Sequence, residues 1–357
     1  MQSTPGSMLD ALDLLGSATN GRLGIWREPL LRRMGEFIIK ARIANDLFLN
    51  SGDAHTKQEL DRDLLFRYGK HVGSPMMIAL ATGDLPADYV PRALPAIFGE
   101  TALRAEPKQT SPLLKDVWLP QTALMAARME ENSAKGLYLA SIASDNGKSH
   151  SHNDTGSFWV YLDGEPVLID LGAEAYQKQS FDEHRYELPS TESGYHNLPT
   201  IGTIQQGVGS AYRATDLRYI ADNGIASLEM NIADAYPAEA NLREWIRSVE
   251  LDRTKSQISI HDRFGLRANP TDVTWSLMTC RPVKVEDRKL RLLPRAADHS
   301  SEVTVDFDPA LLTVSVETMN LTNAGLTSVW GPVVYLILLK ARRATTGGES
   351  RLLLRAV

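Results

Sequence analysis

The sequence contains a single cysteine, Cys280, among its 357 residues. One cysteine cannot form an intramolecular disulfide, and it excludes a zinc site built from several cysteine thiolates. We therefore expect Cys280 to be a small buried apolar side chain, which is the usual role of an isolated cysteine.

Long apolar segments are also missing. No stretch approaches the roughly 18 continuous apolar residues that a membrane-spanning helix needs. Residues 1–7 are polar and lack the apolar core of a secretion signal. We predict a chain without a membrane span, and we expect any export signal of the natural protein to lie outside this sequence.

The sequence has no surplus of basic residues, since its formal net charge is −6. This balance argues against nucleic acid as a partner. A site for an acidic polymer would have to depend on local arginines, because the guanidinium fork matches carboxylate and sulfate groups. Arg185 and Arg213 are the candidate substrate-binding residues, with Arg218 and Arg243 as further options. The alternative for each is an ordinary solvated strand face.

The length suits two domains, and residues 1–105 show helical spacing of apolar residues. Leu9–Leu15 predicts a first helix that ends at Gly16. A second helix is expected to begin near Pro29, since proline is tolerated in a first turn. Thr56, with Glu59 three residues later, predicts the capped start of a third helix, and His71–Thr82 is a fourth candidate.

Residues 106–357 have a different texture, with many short runs of β-branched and aromatic residues separated by turn residues. Asp163-Gly164 and Asn223-Gly224 are strong signals for two-residue hairpins. Regularly spaced short strands without helices between them favour antiparallel sheets. The predicted fold class is α+β, a mainly antiparallel β-sandwich behind a short helical segment. The main predicted strands are Gly136–Ala143, Ser157–Leu162, Pro166–Leu171, Ala226–Ile232, Trp245–Leu251, Gln257–His261, Val333–Leu339 and Arg351–Ala356.

The first of these hairpins brings chemically interesting residues together. His150 and His152 are two residues apart, and on an extended segment their side chains would point the same way. A two-residue turn pairs Leu162 with Glu165, and counting back along both strands pairs Asp170 with Ser157. Asp170 is therefore expected near His152, although 18 positions separate them.

These residues predict a metal site. His152, Asp170 and a later histidine, His196, would form a set of two imidazoles and one carboxylate, which is typical of zinc with an open fourth position. The alternative is that these groups only hold loops in place by hydrogen bonds. A cupin-type metal enzyme is a further alternative, but cupins carry a glutamate a few residues after the histidine pair, and none follows His152 here.

The order and spacing of several motifs resemble the heparinase II/III-like polysaccharide lyases over roughly residues 120–280. The matching segments are Ser149-His150-Ser151-His152-Asn153-Asp154-x-Gly156-x-Phe158, Gly164-x-Pro166-x-Leu168-Ile169-Asp170-x-Gly172, Arg185-Tyr186, Tyr195-His196-Asn197-x-Pro199, and Gln205 or Gln206 with Gly207.

The resemblance implies a β-sandwich beside an incomplete α/α toroid and β-elimination of uronic-acid-containing polysaccharides. By motif position it implies that His152, Asp170 and His196 bind zinc. It also implies that His150 lies beside the catalytic centre, and that Tyr186, or Tyr176 in the same loop, is the tyrosine that the sandwich contributes. A periplasmic or secreted location follows from the same resemblance.

The sequence departs from the family pattern at its beginning. The Asn or His motif and the Tyr motif that the family's toroid contributes are not found ahead of the helices, so we expect this chain to be the C-terminal part of a lyase. Apolar helix faces would then be exposed and would favour pairing of two chains as a homodimer. The alternative function is a non-catalytic carbohydrate-binding sandwich with a structural metal.

Overall fold

The computed structural model describes residues 3–22, 24–83, 102–174, 176, 178–222 and 224–357. The chain forms two compact units. The first unit comprises Met1–Phe48 and Lys57–Leu114, and the second comprises Leu49–Thr56 and Lys115–Val357. The short segment Leu49–Thr56 thus belongs to the second unit although the first surrounds it in sequence. No helix among the described residues is long and apolar enough to cross a membrane.

The first unit is helical, as its apolar spacing predicts. Its helices are α1 (Ser3–Ala18), α2 (Pro29–Lys40), α3 (Arg62–Val72) and α4 (Pro75–Thr82), with a 3-10 turn at Ile25–Arg27. The predicted start of α2 at Pro29 is confirmed, and α1 continues two residues beyond the expected end at Gly16.

Two predicted helix starts are wrong. The third helix does not begin at Thr56, because Thr56 lies in a non-helical stretch and the true N-cap is Asp61, whose carboxylate accepts a hydrogen bond from Leu64 N. The fourth helix does not begin at His71, because Gly73 adopts a left-handed conformation that ends α3. Ser74 then caps a new helix. A capping sequence is a local signal, and here a second cap five residues later replaces it.

A small hairpin of β1 (Arg42–Ala44) and β2 (Leu47–Phe48) follows α2. The unit's core contains buried side chains from all four helices, among them Leu9, Ile39, Phe66 and Met77. Several large apolar side chains of α1 and α2 are exposed, as expected from the sequence: Leu14, Leu15, Leu30, Met34 and Phe37. The homodimer stays a prediction.

The second unit consists mainly of strands, and its described residues also include a short α-helix, α5 (Ala324–Trp330). Its strands are β3 (Asp116–Leu119), β4 (Leu124–Arg128), β5 (Leu137–Ile142), β6 (Asp145–Asn146), β7 (Phe158–Leu162), β8 (Glu165–Leu168), β9 (Pro199–Ile201), β10 (Gly209–Arg213), β11 (Thr215–Ala221), β12 (Ile225–Asn231), β13 (Leu242–Asp252), β14 (Gln257–Leu266), β15 (Val273–Thr279), β16 (Val283–Val285), β17 (Lys289–Leu292), β18 (Val303–Asp306), β19 (Leu312–Asn320), β20 (Val333–Ala341) and β21 (Gly347–Ala356).

These strands form three larger sheets and one small ribbon. The sheets have the orders β11-β12-β13-β14-β21-β18-β17-β16, β19-β20-β15-β9 and β3-β4-β5-β7-β8, and the ribbon is β10-β6. Every strand pair of the described residues is antiparallel. Side chains from all three sheets meet in one apolar core, including Val160, Trp245 and Ile337. The predicted antiparallel sandwich behind a helical segment is confirmed.

Both predicted hairpins are present. Asp163 and Gly164 have positive φ values of 53° and 81°, the combination that a type I′ turn between β7 and β8 requires. Strands β11 and β12 pair directly, and Asp222 Oδ1 accepts hydrogen bonds from the backbone N–H groups of Gly224 and Ile225. Asn223 itself lies outside the described residues. Cys280 is buried, as expected.

Candidate functional site

The two histidines of the first motif occupy different environments. His150 has a φ of 61°, so the chain turns there and the alternation of an extended segment does not apply. The predicted extended conformation is therefore wrong at His150. The His150 side chain is 58% exposed, and that of His152 is fully buried.

Asp170 leaves the β7–β8 ladder earlier than predicted. The turn pairs Leu162 with Glu165 as expected, but a bulge follows, and the ladder ends with Val160 opposite Leu168. Ile169 N then donates to Met278 O in β15 instead. The predicted pairing of Asp170 with Ser157 is therefore wrong, because a bulge shifts the register by one residue.

Asp170 nevertheless lies in a buried polar cluster with His152 and His196. Its Oδ2 lies 2.8 Å from His196 Nδ1, and its Oδ1 accepts a hydrogen bond from Gly172 N. The rings of His152 and His196 are 5.6 Å apart between centroids. Burial raises the pKa of Asp170, but the neighbouring His196 more than offsets this and lowers it. Burial alone would lower the pKa of His196, and the Asp170 carboxylate raises it.

Three buried polar atoms in this cluster have no hydrogen-bond partner among the described residues: His152 Nδ1, His196 Nε2 and Asp154 Oδ2. Unpaired buried polar atoms are costly, and an unseen ion is one explanation. Two imidazole nitrogens and nearby carboxylates match the donor set that zinc prefers. As the side chains stand, no three His, Cys, Asp or Glu residues of the described part of the chain have a geometry that could hold a metal ion.

The motif that includes Asp154 was recognised from the sequence, but Asp154 was not predicted to be a site residue. Its side chain is buried, and burial raises its pKa while His196 lowers it. It interacts electrostatically with His152 and Asp170 as well. The only sequence signal was its position two residues after His152.

A buried ion pair anchors the loops that carry these groups. Arg247 on β13 binds both carboxylate oxygens of Asp262 on β14, at 2.8 and 2.7 Å. Its third nitrogen donates to Gly156 O at 3.0 Å and to Asn197 O at 2.8 Å. Gly156 lies in the histidine motif and Asn197 follows His196, so one guanidinium fixes both loops to the sandwich.

Asp53 is a second site residue that the sequence did not predict. It lies in the Leu49–Thr56 segment, and its carboxylate contacts four side chains. Oδ1 is 3.1 Å from His152 Nε2 and 2.7 Å from Arg185 Nη2. Oδ2 is 2.9 Å from His150 Nδ1 and 3.0 Å from the Tyr176 hydroxyl. Burial raises the pKa of Asp53, but hydrogen bonds from His152, Arg185 and His150 outweigh it and hold the pKa well below its usual range.

The Asp53 segment is tied to the sandwich by its own backbone and side chains. Asp53 N donates to His150 O. Asn50 accepts a hydrogen bond from Trp159 Nε1 and donates to Asp170 O, at 2.9 and 3.0 Å. Some 100 positions separate these partners, so no local pattern indicated the contact. The dipeptide Gly52-Asp53 is merely a turn signal by itself.

The structure brings one of the two candidate tyrosines to His150. Tyr176 has its hydroxyl 3.1 Å from His150 Nδ1, and its side chain is 51% exposed. Burial and the Asp53 carboxylate raise the pKa of Tyr176. Tyr186 lies instead against Arg185, whose guanidinium is 5.8 Å from the centre of its ring.

The two candidate substrate-binding arginines differ in exposure. Arg185 is 12% exposed and uses its donors on Asp53, Ser180 O and Ser151 O. Arg213 is exposed on β10. Their contacts with substrate stay predictions.

The chain is similar to several known proteins. A family described as Heparinase II/III-like, C-terminal, matches residues 113–318, more than half of the chain. No curated protein matches this chain.

Solved structures with the same fold include heparan sulfate lyase HepC from Pedobacter heparinus, at 14% identity and a TM-score of 0.63, covering 90% of this chain and 45% of that one. A heparinase III has 14% identity and a TM-score of 0.61, with 92% and 48% coverage. A heparinase III with methylated lysines has 12% identity and a TM-score of 0.64, with 90% and 45% coverage. The chain spans a little under half the length of these structures.

Proposed function

Because the chain belongs to the heparinase II/III-like family through its C-terminal domain, we propose that it is a polysaccharide lyase or the C-terminal part of one. Its substrate would be a uronic-acid-containing polysaccharide, cleaved by β-elimination. One observation supports this most directly. An exposed imidazole and an exposed phenol, His150 and Tyr176, lie 3.1 Å apart inside the matched segment, on a buried polar support.

The chemistry of β-elimination needs such a pair. The proton at C5 of a uronate is weakly acidic, because the adjacent carboxylate opposes further negative charge. The enzyme must neutralise that carboxylate, remove the proton and protonate the leaving glycosidic oxygen. In this proposal His150 and Tyr176 share the proton transfers, since the exposed ring and hydroxyl are accessible to a polymer. Tyr186 is the alternative phenol.

We further propose that zinc binds at His152, Asp170 and His196. Two buried ring nitrogens that have no partner in the described part of the chain, together with an adjacent carboxylate, support this proposal. The ion would draw these side chains together, because in their present arrangement they could not hold a metal. The bound ion would order the loops that carry His150.

The periplasmic or secreted location of the protein stays a prediction.

Turnover is tested by incubating the 357-residue chain with heparan sulfate, chondroitin sulfate and alginate and following the ultraviolet absorbance of the unsaturated uronate. If the chain is a whole lyase, we expect absorbance with at least one polymer and a loss of about 10²–10⁴-fold in His150→Gln or Tyr176→Phe. If it is only the C-terminal part of a lyase, we expect it to be inactive by itself. Tyr335→Phe, on β20, is the matched control. Binding of a polymer without any new absorbance would favour the carbohydrate-binding alternative over a whole lyase.

The metal is tested separately by elemental analysis of the purified chain. We expect about one zinc per chain in the wild type, the content of a single site with this ligand set. His152→Ala should lose it. Full zinc in that variant would remove His152 from the site.

A further inference from the structure

Asp53 is placed where one carboxylate can serve two groups of side chains at once. Its Oδ1 faces the buried side, against His152 and Arg185, and its Oδ2 faces the exposed side, against His150 and Tyr176. The Asp53 side chain is 8% exposed, so these contacts have little competition from solvent.

The contact with His152 determines which ring nitrogen can bind a metal. His152 Nε2 is the nitrogen beside Asp53, whereas Nδ1 is buried and has no partner among the described residues. A ring that donates Nε2–H to a carboxylate keeps its lone pair on Nδ1. Carboxylates that hold metal-binding histidines in this way orient the ring and strengthen it as a ligand.

We propose that Asp53 orients His152 toward the metal and joins the metal site to the exposed pair of His150 and Tyr176. This rests on the proposed zinc site. In consequence, the Leu49–Thr56 segment contributes a functional residue to the site. Metal binding at His152 changes the position of the Asp53 carboxylate and, through it, the environment of His150.

The backbone supports this role. Gly52 has a φ of 61°, and a Cβ there would collide with His150 O. Asp53 N donates to that same carbonyl oxygen at 3.1 Å. The segment is thus held against the histidine motif independently of the Asp53 side chain, so a substitution at Asp53 can remove the carboxylate and leave the chain path in place.

The first experiment measures zinc affinity of the full chain by competition with a chromophoric chelator. Asp53→Ala and Asp53→Asn should bind zinc about 10- to 100-fold more weakly than the wild type. Asp234→Asn removes an exposed carboxylate of the same unit and should leave the affinity unchanged. Wild-type affinity in both Asp53 variants would overturn the inference while leaving the zinc site intact. No zinc binding by the wild type would overturn both.

The second experiment begins with the wild-type chain, so its first result does not depend on a variant that folds. In wild-type chain labelled with ¹⁵N-histidine, zinc should shift the ring signals of His150 as well as those of His152 and His196. His261, on β14, is the internal control. At saturating zinc, Asp53→Asn should keep the shifts of the ligands and lose that of His150. If zinc does not shift the His150 signal in the wild type, the link between the metal site and the pair of His150 and Tyr176 is refuted.

Discussion

The buried pair of Arg247 and Asp262 offers a sharp test of how the site is supported. Arg247 is 1% exposed and makes four hydrogen bonds, two to Asp262 and one each to Gly156 O and Asn197 O. Removing one partner of such a pair leaves an uncompensated buried charge, which costs about 3–5 kcal/mol. We expect Arg247→Met to lose stability by this amount, since Asp262 stays buried.

A second Arg–Asp ion pair, which lies at the surface, provides the control. Arg355 contacts Asp306 at 2.6 Å, but these side chains are 43% and 39% exposed. Exposed pairs contribute roughly 0–1 kcal/mol. Arg355→Met should therefore cost far less than Arg247→Met, because solvent screens the Arg355–Asp306 pair but not the buried Arg247–Asp262 pair.

The assay is urea unfolding followed by tryptophan fluorescence. Trp275 is a suitable probe, because its Nε1 donates to Asp262 Oδ2 at 2.8 Å. The free energies of unfolding can be compared directly if the variants have the wild-type slope of unfolding free energy against urea concentration. A double variant of Arg247 and Asp262 measures their coupling directly. Equal losses for Arg247→Met and Arg355→Met would refute the argument that burial makes this pair critical.

Two further predictions concern the backbone. Gly52→Ala should destabilise the chain by more than the roughly 1–2 kcal/mol that a left-handed alanine costs, because its Cβ would also collide with His150 O. Gly73 has nearly the same φ but open space around it, so Gly73→Ala should show only the conformational cost. Thermal unfolding of the two variants measures the difference. Asp61→Ala should cost about 1 kcal/mol by removing the cap of α3 at Leu64 N, whereas Asp61→Asn should keep it; an unchanged melting temperature in Asp61→Ala would contradict the assigned helix start.

Much of the fold follows from local patterns in the sequence. Alternating short strands and the Asp163-Gly164 turn predicted antiparallel pairing, and β7 and β8 pair at that turn as expected. Pro29 marked the start of α2. These signals are dependable because turn geometry and strand alternation depend on neighbours in the chain. The start of α3 was misplaced for the same reason, since two capping sequences compete and only packing selects one.

For the candidate site, the sequence and the tertiary structure determined different properties. The sequence by itself identified the chemistry: two histidines, an aspartate and a third histidine in family-specific motifs, with a tyrosine to follow. Only the tertiary structure showed that His150 is exposed while His152 is buried, because His150 adopts a left-handed conformation that interrupts the extended alternation. It alone brought Asp53 to both histidines, since a contact across about 100 residues depends on the closure of the whole chain and leaves no trace in local spacing.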